Sequence, residues 1–265
     1  MNPLPFVVSI SNRKGGTGKT TTAVNLAVEF AQRDYQVLLI DLDTQGHAAV
    51  GLDVNCPRGA PTAQDMFVQP DFALVCAIVP TLVSGLHFVP ADQNFEHGGG
   101  PKDLLVLRRQ IEAPAIAEHY DIIVIDTPPS LDILLMNAMA AANGILIPML
   151  PHHLSGEGVR QLSRLFFRIG SSINPHLQLL GLLPVMLERG VECHQSVLDN
   201  ISLQYGRQRL LRGIRTDIRL AEAFAARKPI QLYSPRSRGS LDYYVLAEDL
   251  LLMWQDIRGI RPQRP

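Results

Sequence analysis

Short apolar runs recur along the chain, separated by stretches whose apolar positions repeat every three or four residues. The runs at 6–11, 36–41, 86–90, 121–126, 144–149, 179–184 and 211–215 predict strands. Two of them, DIIVID (121–126) and GILIPML (144–150), are almost unbroken by polar residues. Such runs suit strands covered on both faces, as in a parallel sheet. Between them, helices are predicted at 19–33, 102–118, 130–142, 155–172, 192–205 and 239–256. Alternation of this kind predicts an α/β fold: a doubly wound, mostly parallel sheet flanked by helices on both faces. No internal repeat and no long linker interrupts it, so residues 1–265 are expected to form a single domain. The segment at 53–61 is the loosest, and EHGGGPKD (96–103) is expected to be a flexible connection.

Composition narrows the class without changing the fold. The 265 residues are 46% hydrophobic and 18% charged, which suits a globular protein with a substantial core. No apolar run approaches the ~20 residues of a membrane span. The apolar run near the N-terminus leads straight into a glycine-rich motif, so it is a first strand and not a signal peptide. Cys56, Cys76 and Cys193 are scattered, with no C-x-x-C pair. Neither a disulfide framework nor a zinc or iron–sulfur site is favoured, and a reducing cytoplasm is the expected setting.

The glycine-rich motif carries the chemistry. NRKGGTGKTTT (12–22) follows the first strand and opens the first helix. The ordinary pattern G-x-x-x-x-G-K-[ST] would place a glycine at position 13, where Arg13 stands, so this is a deviant phosphate loop. Its physics survives the departure. Gly15, Gly16 and Gly18 let backbone N–H groups turn inward around an anion, with Thr17 and Thr21 completing the loop. The helix N-terminus points at the same place. Lys19 is expected to reach the terminal phosphates, and the Thr20 hydroxyl to bind Mg²⁺. A dinucleotide motif fits poorly, because Thr21 would fall at its third glycine. Asp126 ends an apolar strand, where it can reach the metal through water. Asp41 and Asp43 end another, two residues apart and so on one side if the strand continues. No N-K-x-D stretch is present to read guanine, which favours ATP over GTP. The adjacent His152 and His153 are expected to pack and not to share a metal, and Tyr243 and Tyr244 to pack in the core.

Four stretches resemble the ParA/MinD group of deviant-Walker ATPases, and ParA-type partition ATPases most closely. They are KGGTGKTTTAVNLA (14–27), VLLIDLDTQGH (37–47), YDIIVIDTPPS (120–130) and the long C-terminal IRLAEAFAARKPIQLYSPRSRGSLDYYVLAEDL (218–250). The resemblance implies a P-loop NTPase fold, ATP and Mg²⁺ as ligands, and an ATP hydrolase of low turnover. It implies that Lys14 crosses to the partner subunit and touches its phosphates, which answers why the loop carries two lysines. It implies that Asp43 orients the attacking water while Asp41 lies nearer Thr20 and the metal. Thr127, Pro128 and Pro129 would form a second switch. Thr44 and His47 depart from the family's D-x-D-P-Q-G-N segment. The function implied is an ATP-dependent homodimer that binds double-stranded DNA without sequence preference. A stimulating partner protein would reset it, and the cycle would position a cargo: a plasmid, a chromosome origin or a protein assembly. The expected location is cytoplasmic and nucleoid-associated, with no membrane partner. The alternative is a MinD-like membrane-cycling switch, for which the C-terminal MWQDIRGIRPQRP makes a poor amphipathic anchor. A metal-cluster ATPase of the same superfamily would want paired cysteines.

Charge adds one more candidate. The formal net charge is only −1, but between positions 205 and 240 nine cations face two acids. That segment carries +7 and the rest of the chain −8. Eight of the nine are arginine, whose planar fork suits phosphate. Arg209, Arg212 and Arg215 are the expected DNA contacts, because they are predicted on a helix end and a strand, away from the nucleotide.

Overall fold

The computed structural model describes residues 4–95, 103–152, 155–188 and 190–257. Seven strands form one sheet: β1 (Phe6–Ile10), β2 (Val37–Asp41), β3 (Val79–Pro80), β4 (Leu86–Val89), β5 (Ile122–Asp126), β6 (Gly144–Met149) and β7 (Gln178–Pro184). Their order is β3-β4-β2-β5-β1-β6-β7. Every neighbouring pair is parallel except β3–β4, which is antiparallel. The helices are α1 (Lys19–Ala31), α2 (His47–Gly51), α3 (Asp65–Val68), α4 (Val106–Glu112), α5 (Pro114–Ala117) and α6 (Ile133–Ala141), followed by α7 (Ser155–Ser172), α8 (Glu192–Tyr205), α9 (Ile218–Ala225), α10 (Ile230–Tyr233) and α11 (Arg238–Ile257).

The period of two along each strand divides the core into two layers. Phe6, Val8 and Ile10 of β1 join Val37 and Leu39 of β2 and Ile122 and Val124 of β5 under α1 and α11. Val7, Leu38, Ile40, Ile123 and Ile125 point the other way, toward α4, α6 and α7. Phe6 stacks on Trp254 at 5.2 Å between centroids, which pins the far end of α11 to the first strand. Register then sets the site. Asp41 stands opposite Asp126, and Asp126 opposite Ile10, so three strands end level at the carboxyl edge of the sheet. In an open α/β sheet, this edge is where ligands bind.

Two expected elements differ. The run at 211–215 is not a strand: it is tied to its neighbour by the isolated bridges Leu182↔Leu210 and Leu187↔Arg215 and by the Ile214 N–H donating to the Pro184 carbonyl at 2.7 Å, not by a continuous ladder. Gly213 breaks the run, with φ 84° and a position where a Cβ would stand 2.9 Å from the Pro184 carbonyl oxygen. The helix expected over 102–118 is two helices, because Pro114 holds Ala113 extended (φ −63°, ψ 138°) and starts α5. Its predicted first residue, Lys102, lies outside the described residues, as do most of 96–103 and all of 258–265 of the C-terminal stretch. Tyr243 is buried as expected, whereas Tyr244 is half exposed beneath the Arg33 guanidinium, 4.3 Å from its ring centre. His152 is exposed, and His153 lies outside the described residues.

Candidate functional site

The phosphate loop joins β1 to α1 across residues 11–18. Gly16 (φ 70°) and Gly18 (φ 73°) adopt left-handed backbone that a side chain would strain. A Cβ at Gly15 or Gly16 would meet no atom within 4 Å, so the loop presents an open concave side. Gly18 caps α1 without a side-chain bond, and no acid lies in the first turn. The first N–H groups of a 13-residue helix therefore remain available to an anion. Asn12 holds the loop at its base. Its Nδ2 donates to the Pro148 carbonyl at 2.6 Å, and its Oδ1 accepts from the Lys14 N–H at 3.1 Å. Sequence reasoning missed this residue, although a lone asparagine between a strand and a glycine loop is a legible signal.

Lys19 is buried at the start of α1. Burial lowers the pKa of its ammonium, while Asp126 and Asp43 pull it back up. Asp41 and Asp126 are fully buried at the ends of β2 and β5. Burial drives both carboxyls up, Asp126 to about 7, against the opposing pull of the Thr20 hydroxyl and Lys19. Asp41 Oδ1 accepts from the Asp43 N–H at 2.9 Å, but Asp41 Oδ2 and both Asp126 oxygens are buried without a full hydrogen bond. Asp43 is buried beside them and accepts from the Gln45 N–H at 3.1 Å, which opens the turn toward α2. On the far side, Thr127 donates to the Ile10 carbonyl at 2.8 Å and ties the Pro128–Pro129 turn to β1.

Orphaned carboxylate oxygens beside a hydroxyl are the donor set of a hard cation. No group of three or more His, Cys, Asp or Glu side chains is arranged to hold a metal among the described residues. The buried Asp41 and Asp126 oxygens beside the Thr20 hydroxyl fit Mg²⁺, which takes one or two carboxylates and keeps water and phosphate oxygens for its remaining positions. Lys14 is half-buried, and among the described residues its ammonium has no ion-pair partner. The structure thus brings Lys14, Gly15, Gly16, Thr17, Gly18, Lys19, Thr20, Thr21, Asp41, Asp43 and Asp126 to one edge of the sheet.

The three arginines are elsewhere and differ from one another. Arg209 is exposed and donates through Nη1 to the Leu179 carbonyl. Arg212 is 73% exposed, with Asp249 3.7 Å away. Arg215 is held by Asp242: its N–H, Nε and Nη2 all donate to that carboxylate, the last at 2.7 Å. No described helix is long and apolar enough to cross a membrane.

Comparison with known proteins identifies the family. The AAA domain family matches residues 6–179. The chromosome partitioning protein ParA of Caulobacter vibrioides is 34% identical over 260 residues, 96% of this chain and 97% of the relative. The sporulation initiation inhibitor protein Soj of Bacillus subtilis is 34% identical over 252 residues, 92% of this chain and 97% of the relative. Among solved structures, cobyrinic acid a,c-diamide synthase from Mycobacterium smegmatis, with bound ADP and magnesium, superposes with a TM-score of 0.81 at 25% identity over 99% of this chain and 100% of that one. With a lysine-preceded glycine loop, two strand-end carboxylates in register and relatives matched along almost their whole length, the chain belongs to the ParA/MinD family of P-loop ATPases.

Proposed function

We propose that the protein is a ParA-type ATP-driven switch. ATP is held by the loop at 15–21, with Lys19 on its terminal phosphates. Thr20, Asp41 and Asp126 would hold Mg²⁺, which when bound neutralises charge on the phosphates. Asp43 orients the attacking water, and its position at the turn after β2 lets it follow the nucleotide's state. Lys14 reaches across to the partner protomer and stabilises charge there on the transferring phosphoryl group, as an arginine finger does. The dimer so formed binds duplex DNA without sequence preference. A stimulating partner resets it, and the cycle positions or segregates an intracellular cargo such as a plasmid, a chromosome origin or a protein assembly. Its place is the cytoplasm, on the nucleoid.

The observation that carries this reading is Lys14. A second lysine stands at the mouth of a complete phosphate loop, and no acid among the described residues pairs with its ammonium. Lys14→Ala should therefore keep ATP affinity within about twofold by calorimetry and lose the ATP-induced dimer by light scattering. A full ATP-dependent dimer with parental hydrolysis overturns the cross-subunit role. Retention on plain duplex DNA, against co-sedimentation with anionic liposomes, each with ATP, separates this switch from a membrane-cycling MinD-type one.

A further inference from the structure

Beside the phosphate loop, α7 and the two loops facing it line an open groove of about 380 Å³. Its walls are Arg13, Leu131, Gln161, Arg164, Leu165 and Arg168. The α7 residues recur at i, i+3, i+4 and i+7, so they form one continuous stripe along the helix. Leu165 is buried at the floor, and Leu131 is 47% exposed on the opposite wall. Phe167, a neighbour of Arg164 on the helix surface, stands 70% exposed.

The charges are unbalanced. Across α7 the cations Arg160, Arg164 and Arg168 meet a single acid, Glu157. Glu157 is already engaged, by Arg160 at 3.3 Å and by Gln161 at 2.8 Å. Among the described residues no carboxylate pairs with Arg13, Arg164 or Arg168; the one contact of the Arg168 guanidinium is the Met136 sulfur at 3.5 Å. The Nε of Arg13 is out of reach of solvent and has no hydrogen-bond partner. Three arginine side chains border a groove whose own surface is almost wholly apolar, and they leave two needs unmet, carboxylates and apolar side chains. A phosphate backbone would satisfy the first and leave Leu131 and Phe167 in water.

We propose that this groove is a docking site for an acidic, amphipathic segment of a partner protein. Aspartate or glutamate side chains pair with Arg13, Arg164 and Arg168, while an aromatic or branched side chain covers Leu131 and Leu165. The groove is complete in one protomer, so docking does not depend on the dimer or the DNA binding proposed above. It does touch the phosphate loop, because Arg13 directly precedes Lys14 and a Cβ on Gly158 of α7 would come within 3.3 Å of the Asn12 Oδ1.

The probe is a random dodecapeptide library panned against the full chain, with Arg164→Glu/Arg168→Glu as the counter-selection target. Both positions are exposed, so the variant should fold, and Arg164→Gln/Arg168→Gln with an unchanged melting curve guards against a folding artefact. Peptides carrying net negative charge and at least one aromatic residue should be enriched. By fluorescence anisotropy they should bind the parent at least tenfold more tightly than either variant, with affinity falling as salt rises. Enrichment of basic or uncharged peptides, absence of any enrichment, or binding that survives both variants overturns the proposal. So does a loss of duplex DNA binding in the variants while peptide binding persists, which would make the stripe a nucleic-acid surface. Because the panning needs no nucleotide, its failure leaves the ATP-switch reading standing, and an intact peptide site with no ATP-dependent dimer would do the reverse.

Discussion

Asp126 shows how a single residue can be costly to the fold and necessary to the site. Its carboxyl is fully buried, lacks a complete hydrogen bond and titrates at about 7, with burial the largest cause. Burial outweighs the attraction of Lys19, so the site disfavours the charge when no ligand is present. A folded pKa raised above the unfolded value of 3.8 means that the protonated form supports folding. That support is fully present below about pH 4 and is lost as the pH climbs through about 7. Ligand-free Asp126→Asn should therefore melt above the parent at pH 8, with the gap closing as the pH falls toward 4. Scanning calorimetry at both pH values checks this. An equal gap at the two would mean that the asparagine acts through packing and not charge. Asp41, raised for the same reason and facing Asp126 in register, should follow the same sign.

At the scale of elements, what was legible in the sequence depended on where each strand's partners lay. β1, β2, β5 and β6 are covered on both faces, so nearly every residue in them is apolar and the runs announce themselves. The phosphate loop, Lys19, Asp41 and Asp126 were legible because they follow such runs directly. β3 is two residues long at a sheet edge and gives no periodic signal. The apolar run at 211–215 misled because Ile214 is buried and Leu211 packs on the core, yet neither belongs to a ladder. Apolarity reports burial, and only backbone geometry decides whether burial comes with strand pairing. Gly213 decides it here. An alanine there would need left-handed backbone, and its Cβ would sit 2.9 Å from the Pro184 carbonyl. Gly213→Ala should cost about 1–3 kcal/mol. It should lower the urea midpoint with an unchanged slope, because the surface exposed on unfolding is the same. A midpoint within error of the parent would show that this crossing relaxes freely.

Over the whole molecule, the +7 of the segment at 205–240 is not all available to a polyanion. Acids from elsewhere in the chain reach into it: Asp242 holds Arg215, Asp53 holds Arg227 at 2.7 Å, and Asp249 stands 3.7 Å from Arg212. Sequence could count these charges but not their distant partners. Arg215 is 30% exposed and clamped by two oxygens of one carboxylate, so its first duty is to fasten the crossing after β7 onto α11. Arg209 and Arg212 are exposed, and an exposed pair at the separation of Arg212 and Asp249 contributes little in water. We expect the DNA contact to rest on these two. Arg209→Ala/Arg212→Ala should weaken ATP-dependent binding to all duplex sequences about equally, because phosphate contacts position a protein without reading bases. The slope of log affinity against log salt should flatten by roughly 0.9 for each phosphate that the variant no longer neutralises. ATP-driven dimerisation should be unchanged, because both residues lie away from the phosphate loop. Arg215→Ala should behave differently, lowering the melting temperature before it affects the salt slope. Filter binding from low to moderate salt, beside thermal melts of both variants, separates the two roles. If the Arg209/Arg212 variant keeps the parental slope while Arg215→Ala loses it with an unchanged melt, the ion pair opens on DNA, and Arg215 is the contact after all.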